Sequence, residues 1–289
     1  MTSLRSRSVS LTGGRSVALW EYGDPSGDTV LAFHGVPACG AGFAWADEPA
    51  RTLGLRVLAP DRPGVGRSSP APRWTVAEHT AVVAELADAL GLGSFAAWGY
   101  SGGGPYAVAT AALLPDRVTG LAVSAGMGSV GEWATVDDFE ATDRRMLRWS
   151  QRHPRRARAV LGTMGRLARW RPGLASKSFE GELSESDRAV AAGLGEPAEA
   201  MALFTEAFPA GAAGVVADYA AIAQPWGVDP ARVTAPTTIW QGDADAMVPL
   251  RHAEALAERI PGAKLVVWPG EGHLGTVTHV EEILRALAD

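Results

Sequence analysis

The stretch FAAWGYSGGGPYAVATAAL, residues 95–113, decides how this chain folds. The apolar residues Phe95–Trp98 suit a short buried strand, and the Ala-rich segment from Gly103 to Leu114 suits a helix. Between them, Gly99-Tyr100-Ser101-Gly102-Gly103 matches G-x-S-x-G. Such a tight strand-to-helix turn strains the serine backbone, exposes its hydroxyl at the top of the sheet and needs small residues two before and two after it. The pattern therefore predicts that Ser101 is a nucleophile.

A nucleotide-binding turn is the alternative interpretation of this glycine-rich segment. The glycines here do not follow the G-x-G-x-x-G spacing, and no phosphate-binding lysine accompanies them. The nucleophile interpretation is therefore preferred.

Strands and helices alternate on both sides of this turn. The predicted strands are 8–11, 16–22, 29–33, 56–59, 121–124, 237–240 and 264–268, and the other predicted helices are 75–90, 249–260 and 277–287. This alternation predicts an α/β fold with a mostly parallel central sheet flanked by helices. Residues 128–227 are helical in composition and contain no convincing buried strand. We predict a core of residues 1–128 and 228–289, interrupted by a helical cap (lid) domain at 129–227.

A serine hydroxyl becomes a nucleophile only when a base takes its proton, and that base needs a carboxylate to orient it. His273 follows the last predicted strand, and the chain order nucleophile, acid, base selects it from six histidines. The acid should follow the preceding strand, where Asp243 and Asp245 both lie. Asp245 is preferred because it is deeper in the loop, whereas Asp243 suits a turn residue. The alternative assignment to Asp243 stays open.

The oxyanion of an acyl-transfer intermediate needs two fixed N–H donors. The turn itself supplies the backbone N–H of Gly102. The loop after strand 29–33 reads His34-Gly35-Val36-Pro37, and proline has no N–H, so Val36 is the predicted second donor. His34 is interpreted as a hydrogen-bonding brace of that loop. Cys39 in the same loop receives no catalytic role.

Composition and charge exclude several other classes of protein. The chain has 289 residues, and 47% of them are hydrophobic. It contains 26 Lys and Arg and 32 Asp and Glu, which gives a net charge of −6. The chain therefore lacks the positive electrostatic field that would attract nucleic acid. A single cysteine excludes an internal disulfide, and no histidine, cysteine or carboxylate set has metal-ligand spacing, so we expect neither metal nor cofactor. No run approaches the ~20 apolar residues of a membrane span, and residues 1–7 are not followed by a signal-peptide core. We expect a cytoplasmic protein without a membrane partner.

Five segments together resemble the α/β-hydrolase superfamily, in the serine-nucleophile branch that includes cap-bearing esterases and prolyl aminopeptidases. They are the turn around Ser101, His34–Pro37, Asp61–Ser68, Gly242–Pro249 and Gly272–His273. The resemblance covers about residues 15–128 and 228–289 and implies the fold and the Ser101/Asp245/His273 triad. Haloalkane dehalogenases and epoxide hydrolases have aspartate where this chain has Ser101. Prolyl aminopeptidases usually have His-Gly-Gly-Pro-Gly where this chain has His34-Gly35-Val36-Pro37-Ala38, which argues against a peptidase.

The predicted cap is unusual in its aromatic residues and in its charge. Eight of the chain's 17 Trp and Phe residues lie in it, which suits either an apolar or aromatic substrate pocket or the packing of cap helices. Packing is the preferred interpretation for most of them. Residues 144–171 contain ten arginines and no Asp or Glu. They suit either solvated helix faces, balanced by the acidic stretch 180–206, or a docking face for an anionic acyl carrier; solvated faces are preferred.

The predicted function is hydrolysis of a small-molecule carboxylic ester through an acyl-enzyme, with Ser101, His273 and Asp245 as triad and Val36 and Gly102 as oxyanion donors. Three alternatives keep the same triad and change the bond: an amide, a thioester or a carbon–carbon bond. A further alternative is a non-hydrolytic ligand-binding protein of the same fold.

Overall fold

The computed structural model describes residues 6–71 and 73–288; residues 1–5, part of the amino-terminal segment considered above, lie outside them. The described residues contain eight strands: β1 Arg7–Ser10, β2 Ser16–Gly23, β3 Asp28–Phe33, β4 Leu55–Pro60, β5 Phe95–Tyr100, β6 Val118–Ser124, β7 Thr237–Gly242 and β8 Lys264–Trp268. They form one sheet in the order β1-β2-β4-β3-β5-β6-β7-β8. The β1/β2 and β2/β4 pairs are antiparallel, and every other pair is parallel.

Helices cover both faces of this sheet. Their bounds are α1 Asp47–Thr52, α2 Val76–Ala89, α3 Gly104–Leu113, α4 Ala141–Arg152, α5 Pro154–Trp170, α6 Pro172–Glu180, α7 Glu185–Gly193, α8 Pro197–Thr205, α9 Ala213–Ile222, α10 Arg251–Arg259, α11 Gly275–Thr278 and α12 Val280–Ala288. The central strands are buried on both faces; Val30, Leu31 and Ala32 of β3 are fully inaccessible. Buried parallel strands need this double cover. The predicted α/β fold with a mostly parallel sheet is confirmed.

Most predicted elements are found within one or two residues of their expected bounds. Helix α2 begins after Thr75, whose side chain accepts from the Glu78 backbone while the Glu78 side chain accepts from the Thr75 backbone, a capping box. The last helix differs from the prediction: instead of one helix over 277–287, α11 and α12 are separated at His279. None of the helices in the described part of the chain is long and apolar enough to cross a membrane.

Helices α4 to α9 lie between β6 and β7, in the segment where the sequence predicts a cap domain. Most aromatic rings of the segment between β6 and β7 pack against other rings: Trp133 lies 4.9 Å from Trp226, and Phe204 lies 5.3 Å from Phe179, between ring centroids. Trp170 is instead largely exposed, with 76% of its surface accessible to solvent. The arginines on α5 are exposed, as expected for solvated helix faces.

Candidate active site

Ser101 lies directly after β5, at the turn into α3. Its φ is 54°, in the left-handed region that residues with a side chain rarely adopt. The turn is crowded: a Cβ on Gly99 would lie 2.7 Å from the Gly103 carbonyl oxygen, and one on Gly103 would lie 1.8 Å from that of Phe33. Only glycine fits at these two positions, and the strained serine between them is held at the carboxyl end of the sheet.

His273 and Asp245 meet at the same edge of the sheet. His273 follows β8 and Asp245 follows β7, and the imidazole Nδ1 lies 2.8 Å from Asp245 Oδ2. The other carboxylate oxygen of Asp245 accepts from the backbone N–H groups of Met247 and Val248, at 2.8 and 2.9 Å. Gln241 donates to Oδ2 at 2.7 Å. The carboxylate is therefore held in a single orientation, and it faces the imidazole.

Asp243 has a different environment from Asp245. Its side chain is exposed, and its Oδ1 accepts from the backbone N–H of Gly270 at 2.7 Å. The Asp243 carboxylate thus joins the loop after β7 to the loop after β8. Of the two carboxylates left open by the sequence, the structure places Asp245 against His273.

His273 also lies beside the serine turn. Its ring packs against Tyr100, the residue before Ser101, with 5.2 Å between the ring centroids. Among the described residues, the His273 imidazole is hydrogen-bonded to Asp245 and not to Ser101 Oγ. A bond between a serine and a neighbouring base is often long before substrate binds. Ser101 and His273 are 7% and 4% exposed, so both lie in a closed, partly desolvated site.

The loop after β3 packs directly onto the serine turn. A Cβ on Gly35 would lie 3.5 Å from Ser101 Oγ, and one on Gly102 would lie 3.3 Å from the Val36 nitrogen. The backbones of the two predicted oxyanion donors, Val36 and Gly102, are therefore adjacent and next to the serine hydroxyl. His34 donates through Nδ1 to the Gly35 carbonyl at 2.8 Å, as expected for a residue that braces this loop.

Two carboxylates near His273 escape the sequence analysis. Asp187, which the sequence indicates only as part of the acidic stretch 180–206, is fully buried and accepts from the backbone N–H of Leu274 at 2.6 Å. The Ser184/Asp187 spacing is typical of a capping box, which is present at the start of α7, but no local signal indicates the contact with Leu274. Asp143 on α4 accepts from the Tyr219 hydroxyl at 2.6 Å, and burial raises its pKa to about 6.

Burial and three neighbouring carboxylates act on the pKa of His273 in opposite directions. Burial lowers the pKa of the imidazole, but the negative charges of Asp245, Asp187 and Asp143 raise it by more, so its pKa lies above the ordinary value of 6.5. An imidazole must be neutral to accept a proton from serine. We therefore expect kcat/KM for an ester to fall as the pH drops through this raised pKa.

The Asp143→Asn variant tests this electrostatic effect. Removing the charge should lower the pKa of His273 and move the acid limb of the kcat/KM profile to lower pH, while the asparagine oxygen can still accept from Tyr219. Asp137→Asn is the control, because Asp137 is exposed and paired with Arg148 on the surface. The profile is measured with an activated ester between about pH 5 and 9. An acid limb that stays in place, or moves to higher pH, contradicts the prediction.

Within residues 6–71 and 73–288, no three or more His, Cys, Asp or Glu side chains are grouped closely enough to hold a metal ion. Cys39 is a buried free thiol, and burial raises its pKa well above the usual range.

Comparison with known proteins agrees with this architecture. Residues 28–280 match the family model described as alpha/beta hydrolase fold. Lipase LipV of Mycobacterium tuberculosis is 35% identical over 100 residues, which are 35% of this chain and 38% of that protein. The alignment with the dihydrolipoyllysine-residue acetyltransferase component of the acetoin cleaving system of Pseudomonas putida is 31% identical and covers 46% of this chain and 36% of that protein. The chain thus spans less than two fifths of the length of either curated relative.

A solved structure extends the similarity to nearly the whole chain. A thermophilic esterase from Thermogutta terrifontis has a TM-score of 0.67 and 26% identity, covering 98% of this chain and 96% of that one. With eight strands in this order, a strained serine after β5 and a family match over 253 residues, the chain belongs to the α/β-hydrolase family, as its sequence predicts.

Proposed function

We propose that this protein is a serine hydrolase that cleaves a small-molecule carboxylic ester through an acyl-enzyme. The observation that carries the proposal is the strained Ser101 at the carboxyl end of β5, beside a buried His273–Asp245 pair whose atoms are 2.8 Å apart. A serine keeps a strained backbone conformation only when the surrounding residues hold it there, and such conformations are concentrated at active sites.

In the first half-reaction, Ser101 Oγ attacks the ester carbonyl carbon while His273 Nε2 takes the hydroxyl proton. The backbone N–H groups of Val36 and Gly102 stabilise the resulting oxyanion. Asp245 holds the imidazole so that Nδ1 carries a proton and Nε2 can accept one. When the intermediate collapses, the carbon–oxygen bond to the alcohol breaks, and His273 gives its proton to the leaving oxygen.

In the second half-reaction, water replaces the alcohol. His273 takes a proton from the water, the water oxygen attacks the acyl carbon, and the bond to Ser101 Oγ breaks. The proton returns to the serine oxygen and the carboxylic acid leaves. The enzyme is regenerated with no net change in its own protonation.

Two further features support ester hydrolysis behind a cap. The relatives above include a lipase and an esterase, and ester cleavage is the least demanding reaction for this set of residues. Helices α4 to α9 bring Asp143 and Asp187 into electrostatic contact with His273. We propose that these helices form the cap and that they determine which substrate reaches Ser101.

The test uses a fluorophosphonate probe, which forms a stable adduct only with an activated serine. We expect one probe molecule per protein by intact mass, with the adduct on the peptide that contains Ser101. The Ser101→Ala variant should remain unlabelled, although its circular dichroism and melting temperature are unchanged. A series of p-nitrophenyl esters of increasing acyl length then measures the preferred acyl group.

Folded wild-type protein that stays unlabelled would overturn the proposal and favour the ligand-binding alternative. If the protein is labelled but cleaves an amide, a thioester or a carbon–carbon bond beside a ketone and no ester, the triad assignment is supported and the assignment of an ester substrate is wrong.

A further inference from the structure

The direction of the Val36 N–H is determined by the atoms that hold the preceding carbonyl. Gly35 C=O and Val36 N–H belong to the same peptide group, which is planar and trans, so its oxygen and hydrogen point to opposite sides. Fixing the Gly35 oxygen therefore fixes the Val36 N–H, the second oxyanion donor of the proposed mechanism. A small rotation of this peptide would move the N–H away from the oxyanion.

The Arg62 side chain binds this peptide group on its carbonyl side, opposite the Val36 N–H. Its Nη2 donates to the Gly35 carbonyl at 3.0 Å, and its Nη1 donates to the His34 carbonyl at 2.6 Å. His34 Nδ1 donates to the same Gly35 oxygen, and its Nε2 accepts from the Arg62 backbone N–H at 3.3 Å. Two consecutive carbonyls of the oxyanion loop are thus bound by one rigid guanidinium.

Asp218 holds the guanidinium in turn. The carboxylate accepts from Arg62 Nε at 2.8 Å and from Nη2 at 2.7 Å, and both side chains are 1% exposed. The Tyr106 hydroxyl donates to Asp218 at 2.8 Å, and the Tyr106 ring lies under the guanidinium, 4.6 Å from its central carbon. A forked pair of hydrogen bonds fixes the plane of the guanidinium as well as its position.

The two histidines near the Arg62–Asp218 pair, His34 and His79, carry no charge that would compete with it. Burial, together with the Arg62 charge, lowers the pKa of His34 well below its usual range and that of His79 to about 3. Both imidazoles are therefore neutral at physiological pH, and Asp218 is the carboxylate that balances Arg62. A buried ion pair of this kind is weak support for stability on its own, since its desolvation offsets much of its attraction.

We propose that Arg62 and Asp218 are positioning residues that aim the Val36 N–H at the oxyanion formed on Ser101. Asp218 lies on α9, the last helix of the insertion between β6 and β7, so this pair also ties the insertion to the oxyanion loop. The inference rests on the proposed function and adds to it the source of the rigidity of the oxyanion hole.

The test compares Arg62→Lys, Asp218→Asn and Tyr106→Phe with the wild type. Lysine keeps the positive charge but cannot bind both carbonyls and the carboxylate in one plane. Arg56→Lys is the matched control, because Arg56 on β4 forms a 2.7 Å ion pair with Glu21 away from the oxyanion loop. Active sites are counted with the fluorophosphonate probe, so that kcat refers only to correctly folded enzyme. Affinity for an alkyl trifluoromethyl ketone, which forms an oxyanion on the serine, is measured in parallel.

For Arg62→Lys and Asp218→Asn we expect kcat per active site to fall by about tenfold to a hundredfold, with KM within about twofold of wild type. The affinity for the trifluoromethyl ketone should fall by a similar factor, because only the oxyanion contact is weakened. Arg56→Lys should retain both values. If Arg62→Lys does not fold, Tyr106→Phe tests the inference instead. This variant removes the hydrogen bond from the Tyr106 hydroxyl to Asp218 and should lower kcat and inhibitor affinity by about threefold.

If Arg62 and Asp218 have only a structural role, their variants should have a lower melting temperature or fewer active sites but unchanged kcat per site and inhibitor affinity. That result overturns the inference. So does a rise in KM without a change in kcat. A wild type that the probe does not label overturns the proposed function and this inference together, whereas a labelled wild type with unaffected variants overturns this inference alone.

Discussion

Replacing Asp245 by asparagine is expected to lower kcat about ten-thousandfold while the protein stays folded, as in serine hydrolases whose triad acid is changed in this way. The reason lies in the bonds around Asp245. The N–H groups of Met247 and Val248 would hold the asparagine oxygen in the place of Oδ1, which turns the new NH2 group towards His273 Nδ1. Nδ1 would then have to accept, so the ring proton would move to Nε2. An imidazole protonated at Nε2 cannot take the proton of Ser101.

Asp243→Asn is the matched control for this variant. It makes the same chemical change two residues away, on a side chain whose contact is the Gly270 backbone N–H. We expect kcat within about twofold of wild type, because the asparagine oxygen can accept the same bond. Hydrolysis of a p-nitrophenyl ester by both variants, normalised to circular dichroism, measures the difference. Equal losses in the two variants, or full activity of Asp245→Asn, would reject Asp245 as the triad acid.

Changing Gly103 to alanine is expected to lower the free energy of unfolding by at least about 3 kcal/mol, or to prevent soluble expression. The added Cβ would lie 1.8 Å from the Phe33 carbonyl oxygen and 2.9 Å from that of His34. Both neighbours are backbone atoms at the end of β3, so neither can move without disturbing the central strand. The structure has no low-energy way to accommodate the extra methyl group.

Gly93→Ala provides the comparison for this substitution. A Cβ at Gly93 would meet no atom within 4 Å, so the same methyl addition should change the free energy of unfolding by less than about 1 kcal/mol. Urea unfolding followed by circular dichroism measures both variants. A Gly103→Ala protein as stable as Gly93→Ala would show that the serine turn is looser than its geometry indicates.

The parts of the fold that could be predicted are those with a local signal. The serine turn combines a short apolar strand, a glycine pattern and an Ala-rich helix within 19 residues, so its conformation follows from neighbouring residues. The position of His273 and Asp245 follows from a general rule, because the carboxyl ends of parallel strands meet at one edge of a sheet. The order of β3 and β4 within the sheet has no such local signal.

The contacts that escaped prediction join residues far apart in the chain. Asp187 and Leu274 are 87 residues apart, and Arg62 and Asp218 are 156 apart. Composition and charge runs describe the net charge of a helical stretch but not the loop that packs onto it, so the sequence indicates Asp187 only as one member of the acidic stretch 180–206. At the break in the last helix, His279 stacks on Trp268 of β8, with ring centroids 4.5 Å apart.

Two of the contacts between the insertion and the core, those of Asp187 with Leu274 and of Asp218 with Arg62, have a consequence for protein engineering. If the insertion determines substrate preference, as we propose, exchanging it between relatives is a direct way to change that preference. Here a chimera that carried foreign helices would also lose the acceptor for the Leu274 N–H and the acceptor for the Arg62 guanidinium. Its turnover could then fall even if the new pocket bound the intended substrate well. A transplant that restores an aspartate at both places would separate the choice of substrate from the speed of the reaction.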